Sequence, residues 1–298
     1  MSTSAEGRRF FGTKAEGLCL VLFTAVSWGA SWPQTKFLLS QLPPFTMRAG
    51  CGIAGVAFAV LVALGRRENL VPPPGQWGRL ILFSMLNYGL FIVLSTGSQV
   101  YLPASEAVVI TYTLPIWAAL LAWPLLGERP TWIKFLALGL AVGGVALLAG
   151  AGSVEARWEK LPGVAMGLVA AMLFGFATVV AKRWPLRLPP ATSVAWQAGL
   201  GLIPVGGLAL FETSDWARVT PVGWVCVAYV ATIPLTVAYL AWFRALRFVP
   251  ASVAATTVLV SPIVGVLGST LVLGETLGPR QMVALAMTLT GVALAARG

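Results

Sequence analysis

The chain has 298 residues, 58% hydrophobic and only 10% charged, with no histidine, three cysteines and a formal net charge of +10. So apolar a composition excludes an ordinary soluble domain, and the missing histidine removes the commonest metal ligand and the commonest physiological proton carrier. The basic balance implies no nucleic-acid partner here, because Lys and Arg that hold loops on the cytoplasmic side of a bilayer account for it.

Spans of roughly 20 apolar residues are long enough to cross the hydrocarbon core, and they follow one another along the whole chain. Residues 1–16 form a polar tail with Arg8, Arg9 and Lys14. Helix 1 is predicted over 17–39, helix 2 over 45–64, helix 3 over 77–97, helix 4 over 103–123 and helix 5 over 130–150. A polar connecting loop over 151–161, carrying Glu155, Arg157, Glu159 and Lys160, separates two halves. Helix 6 follows over 162–182, helix 7 over 191–211, helix 8 over 221–243, helix 9 over 250–273 and helix 10 over 278–296. Proline stands at or just before most of these starts, where its missing N–H costs nothing. Cys19, Cys51 and Cys226 all lie in apolar stretches and read as packing residues.

The second half repeats the first. Pro103-Ala-Ser105, Pro115, Leu126-Gly-Glu128 and Val145-Ala-Leu147 return as Pro250-Ala-Ser252, Pro262, Leu273-Gly-Glu275 and Val292-Ala-Leu294, and about a third of positions 102–149 match without a gap. Gly17, Lys36 and Leu42-Pro-Pro44 likewise return as Gly163, Lys182 and Leu188-Pro-Pro190, so helix 1 is expected to be a retained span rather than a cleaved signal. Five helices per unit is an odd number, so the second copy (162–298) must enter the membrane inverted relative to the first (17–150). Most Lys and Arg fall on the side of the N-terminus, among them Arg66, Arg67, Arg79, Lys134, Arg183, Arg187, Arg244 and Arg247. That bias predicts cytoplasmic termini and an outer, periplasmic 151–161 loop. The expected fold is an all-α integral membrane bundle of ten transmembrane helices in a five-plus-five inverted-topology repeat. Inverted repeats are a recurrent basis for alternating access around a mid-membrane site.

Pro-Ala-Ser at the start of helix 4, a mid-helix proline, Leu-Gly-Glu at its end and Gly-Gly-Val-Ala-Leu closing helix 5, all echoed in helices 9 and 10, resemble the drug/metabolite transporter superfamily and its ten-helix EamA-like branch. The resemblance implies export of small metabolites or amino acids, often across a bacterial inner membrane. The wealth of Trp and Tyr is similar to aromatic amino acid exporters.

A substrate site is expected between helices 3, 4, 8 and 9. Asn87, Thr111, Gln197, Thr257 and Ser261, with carbonyls released beside Pro115 and Pro262, offer neutral hydrogen bonds to a zwitterion. Trp28, Tyr88, Tyr112, Trp196, Tyr239 and Trp242 are candidates for an apolar wall favouring aromatic side chains. Simple helix packing is the competing reading for each ring and for both prolines. Glu106 is the only carboxylate well inside a span, and its repeat partner is Val253. It is either a proton carrier or a first-turn acid favoured by the helix dipole. Arg48, one turn into helix 2, meets either a substrate carboxylate or the outer interface, and its place near a helix end favours the interface. Glu128 and Glu275 are expected to accept from the backbone donors of the helix that follows each. Lys36 and Lys182 read as mirrored snorkelling anchors.

No metal and no cofactor is expected, since neither a phosphate-binding Gly-Lys-Ser/Thr loop nor a dinucleotide fingerprint occurs. The partners are a small-molecule substrate and the lipid bilayer, and glycines in helix 5 suit close contact within a monomer or across a homodimer. Exporters of other metabolites or drugs fit the same pattern. A lipid-modifying membrane enzyme is the reading from another class, disfavoured by a single Asp and scattered Glu.

Overall fold

The computed structural model describes residues 13–127, 131–149, 154–249, 254 and 257–297, and all regular structure among them is helical. The helices are α1 (Lys14–Leu39), α2 (Pro44–Gly65), α3 (Trp77–Tyr101), α4 (Ala104–Leu126), α5 (Trp132–Ala149), α6 (Val154–Arg183), α7 (Pro190–Ala209), α8 (Pro221–Ala245), α9 (Val260–Leu273) and α10 (Pro279–Arg297). Six of them, α1 to α4, α6 and α8, are long and apolar enough to cross a membrane by length and composition.

Local chemistry sets the ends. Thr13 caps α1 by accepting from the Glu16 N–H at 3.3 Å, and Thr220 caps α8 by accepting from Gly223 at 3.1 Å. Pro44, Pro190 and Pro221 occupy first-turn positions. Gly127 and Gly274 end α4 and α9 in the left-handed region, at φ 76° and 68°, where a Cβ is penalised. One expectation changes here. The stretch 154–161, expected in the connecting loop, is the first two turns of α6. Pro162 is tolerated inside that helix because the carbonyl it leaves without a donor belongs to Trp158, in an exposed turn. The start of helix 9 at Pro250 lies outside the described residues.

Successive helices alternate in direction. The start of α1 and the end of α8 share one end of the bundle, here the base. The end of α1, the end of α3 and the start of α4 share the other, here the top. Helix α1 packs on α8 and α9, α6 packs on α3 and α4, α2 packs on α7, and α5 packs on α10. Glycines let the backbones touch, and they do so in matched pairs. Gly29 faces Ser261 of α9, while Gly175 faces Leu114 of α4. Gly55 faces Ala231 of α8, while Gly201 faces Ser84 of α3. Gly144 faces Ala284 and Thr288, while Gly291 faces Ala137 and Ala141.

Carboxylates tie the halves together. Glu275 accepts from the N–H groups of Ala104 and Ser105 at 2.7 and 3.0 Å and from the Ser105 hydroxyl at 2.5 Å. Glu212 accepts from Phe45 and Thr46 at 3.2 and 2.6 Å, and Glu68 accepts from Thr192 at 2.9 Å. Each caps a helix of the opposite half, against the positive end of its dipole. Glu275 therefore serves α4, not the helix that follows it in sequence. Glu128 lies outside the described residues.

Candidate functional site

Three helices are interrupted near mid-length and a fourth begins behind a turn. In α3 the turn Ser84–Gly89 widens to a π-helix, and in α8 Ile233–Val237 does the same around Pro234. Helix α4 breaks between Thr111 and Leu114, and α9 begins behind a turn at 258–259. Prolines explain three of the four, because a ring nitrogen donates nothing to the carbonyl four residues back. Ahead of Pro115, the Ile110 carbonyl accepts from the Thr113 N–H and hydroxyl at 3.2 and 2.7 Å. The Val258 carbonyl, whose helical donor would be Pro262, accepts from the Ser261 N–H at 2.9 Å. It is already satisfied and is not a released acceptor for a substrate.

An aromatic cluster fills the level of these breaks. The Tyr239 ring lies 5.2 Å from Trp28, 5.9 Å from Tyr88 and 6.4 Å from Phe243, and Trp28 lies 5.9 Å from Trp242. The Trp28 indole N–H donates to the Pro234 carbonyl at 3.1 Å, using an acceptor exposed where α8 widens. One turn further toward the top, Trp32 meets Tyr112 at 6.4 Å. The hydroxyls of Thr111 and Thr236 are buried without a hydrogen-bond partner among the described residues, and the buried Tyr88 hydroxyl has the Tyr239 hydroxyl beside it. Buried polar groups are rarely left unpaired, and the two threonines sit on α4 and α8 beside the interruptions.

The remaining candidates divide. Asn87 donates to Gln197 at 3.3 Å, and Gln197 donates to Ser193 at 2.9 Å, forming a polar chain between α3 and α7. The Ser261 hydroxyl donates to the Ala25 carbonyl at 2.8 Å, so it ties α9 to α1. Thr257 is half-buried ahead of α9, and Pro115 is half-buried while Pro262 is buried. A crevice lined by Tyr112, Pro262 and Thr288 between α4, α9 and α10 has no room for a water molecule. Trp196 does not join the wall. It stacks edge-on against Trp77 at 5.0 Å and donates to the Leu70 carbonyl at 2.7 Å, at the base. Glu106 is not alone either: Lys160 donates to both its oxygens at 2.9 and 3.0 Å, from the turns of α6 that were expected to be loop.

Trp32, Phe243, Thr236 and Pro234 were not among the expected site residues. Trp32 follows Trp28 at a helical i, i+4 spacing, and Pro234 is a mid-helix proline like Pro115, so both carried a readable signal. Nothing in the sequence marks Thr236. Among the described residues no group of three or more Cys, Asp or Glu could hold a metal ion.

Comparison with known proteins fits this geometry. The uncharacterized transporter YvbV of Bacillus subtilis (strain 168) is 25% identical over 287 residues, covering 94% of this chain and 92% of its own. A probable terminal-alkyne amino-acid exporter of Streptantibioticus cattleyicolor is 24% identical over 284 residues, covering 92% of this chain and 91% of its own. A solved crystal structure shares the fold at a TM-score of 0.66 and 21% identity, over 93% of this chain and 96% of its own. One family model matches twice in succession, over residues 15–150 and again over 161–297. With both halves matched and a bundle of apolar spans around interrupted helices, this chain is a multi-pass membrane protein and belongs to the EamA-like transporter family.

Proposed function

We propose that this protein is a secondary transporter that exports neutral amino acids, aromatic ones favoured, by alternating access across a bacterial plasma membrane. The observation that carries the reading is the ring cluster of Trp28, Tyr88, Tyr239 and Trp242, set where α3 and α8 lose regular helical bonding and beside buried hydroxyls without partners. Interrupted helices at mid-membrane offer a solute polar groups that intact helices keep to themselves. The relative named as an amino-acid exporter supports the substrate class.

The same proposal takes the bundle as a five-plus-five inverted repeat with the base, and both termini, in the cytoplasm. It is supported by the double family match and by the paired glycine contacts, each offset by 146 or 147 residues. In such a fold the two halves exchange roles when the molecule rocks, so α3 and α4 close one side in the way α8 and α9 close the other.

Counterflow in proteoliposomes tests the site. Alanine at Tyr88, Tyr112 or Tyr239 is expected to reduce phenylalanine exchange more than threonine exchange. Ring stacking worth about 0.5–1.5 kcal/mol corresponds to roughly a two- to tenfold difference. Equal losses for both solutes, with folded protein at normal levels, would mean that the rings only support the helices. No exchange of any amino acid by the wild-type protein would remove the substrate class itself.

A further inference from the structure

Among the described residues, Arg48 is a cation near the top of the bundle with no carboxylate beside it. Arg48 stands one turn into α2 and is half-buried. Its Nε donates to the Thr96 hydroxyl of α3 at 2.8 Å, and Thr96 is itself fully buried. The two terminal amino groups of the guanidinium make no hydrogen bond to a described residue, and no described carboxylate lies within salt-bridge distance of it. The acids and bases nearby are otherwise engaged. Lys36 donates to the Gln99 and Leu102 carbonyls, Glu212 caps α2, and Glu275 caps α4.

The fold does not need this charge. Under the offset that relates Gly55 to Gly201, Arg48 corresponds to Val194, which is buried against Ala59. Under the offset that relates Ser84 to Ala231, Thr96 corresponds to Phe243. The same packing is thus closed at the base by apolar side chains, and at the top by a guanidinium held in place at one nitrogen. An ionised group inside a membrane span is costly, and such groups line solute paths or meet a partner. A guanidinium fixed through Nε presents its two terminal nitrogens as a fork that matches a carboxylate. Tyr88 of the ring cluster and Thr96 are eight residues apart on α3, so the fork sits about 12 Å toward the top from the rings.

We propose that Arg48 is a carboxylate-binding station between the aromatic cluster and the top of the bundle, and that the transported solute therefore carries a carboxylate. This rests on the transporter reading and narrows its substrate. It also adds a fixed positive charge to a site whose other candidates are neutral.

The test uses the purified full-length chain in lipid nanodiscs and follows its melting against six probes: phenylalanine, 3-phenylpropionate, phenethylamine, sodium phosphate, sodium acetate and sodium succinate. A ligand that binds only the folded state raises the midpoint by mass action. Phenylalanine and 3-phenylpropionate are expected to raise it, and phenethylamine, which lacks the carboxylate, is not. Arg48→Gln is expected to weaken both carboxylate ligands by at least about tenfold. Arg48→Lys, which keeps the charge but loses the fork, falls between, and it keeps the comparison usable if the Gln variant does not fold. Equal binding of phenethylamine, unchanged carboxylate binding in both variants, or no carboxylate binding by the wild type would each overturn the assignment. An equal response to phosphate would make this a general anion site and overturn it as well. If acetate and succinate bind through Arg48 while no aromatic probe does, the station stands and the preference for aromatic amino acids falls.

Discussion

Trp28 does two things at once: its ring packs on Tyr239 and Trp242, and its N–H satisfies the carbonyl that α8 exposes at Pro234. Trp28→Phe keeps an aromatic face and leaves that carbonyl without its donor, a loss of about 1–3 kcal/mol for a buried acceptor. The purified variant is expected to melt several degrees lower, and an unchanged melt would show that the carbonyl has another donor. Glu106 and Lys160 form the second residue-scale test. Breaking one partner of a buried ion pair is harsher than removing both, so Glu106→Gln is expected to be less stable than the Glu106→Gln, Lys160→Met double variant. If the double variant also keeps pH-driven accumulation of substrate, Glu106 carries no coupling proton. If accumulation is lost while exchange persists, it does. Trp28 and Tyr88 were legible because each falls near the middle of an apolar span, while Tyr239 and Trp242 lie in the last two turns of theirs. Trp196 was misplaced because it is only the seventh residue of α7, still at the level of the base. The partner of Glu106 was not legible because polar residues ahead of a proline look like loop until the helix that carries them is seen.

At the scale of elements, runs of about 20 apolar residues gave the expected helices to within a few residues, except at the start of α6 and at the start of α9, where the expected start lies outside the described residues. The breaks in α4 and α9 could be read from Pro115 and Pro262, since the missing N–H acts locally. The widened turn of α3 could not. Ser84–Gly89 contains no proline, and Gly89 there lies against Gly201 of α7, a contact set by tertiary packing. Caps across the halves were equally hidden, because a glutamate at a helix end looks the same whichever helix it serves. Glu275→Ala removes three acceptor contacts from the first turn of α4. Loss of an N-cap typically costs about 0.5–2 kcal/mol, so hydrogen exchange at residues 104–107 is expected to speed up ahead of the rest of α4. Uniform protection across α4 would mean that water caps it as well. Gly29→Leu and Gly175→Leu, which press on α9 and α4 at matched places, are expected to lower the melting midpoint by similar amounts, since each forces a backbone contact apart. A large loss at only one of them would show that the two crossings are not equivalent.

For the whole molecule, the proposed orientation rests on the distribution of Lys and Arg. Single cysteines at Ser2, Ser153 and Gly298, in a background lacking Cys19, Cys51 and Cys226, are expected to react with an impermeant reagent from outside only at position 153. Reaction at either terminus in intact cells would reverse the bundle and place the Arg48 station on the cytoplasmic side.

The caps and glycine crossings have a consequence for how such a molecule is put together. Glu68 of the first half serves α7, and Glu212 of the second serves α2. Gly29 touches α9 as Gly175 touches α4. When patch meets patch reciprocally in this way, the arrangement is that of a self-complementary pair of subunits. The covalent join near residue 152 then supplies proximity and little else. Two separate polypeptides, 1–152 and 153–298, contain between them every one of these reciprocal contacts. Co-expressed and inserted in opposite senses, they are expected to associate into a functional complex, whereas either fragment alone leaves helix starts uncapped and glycine faces bare to lipid.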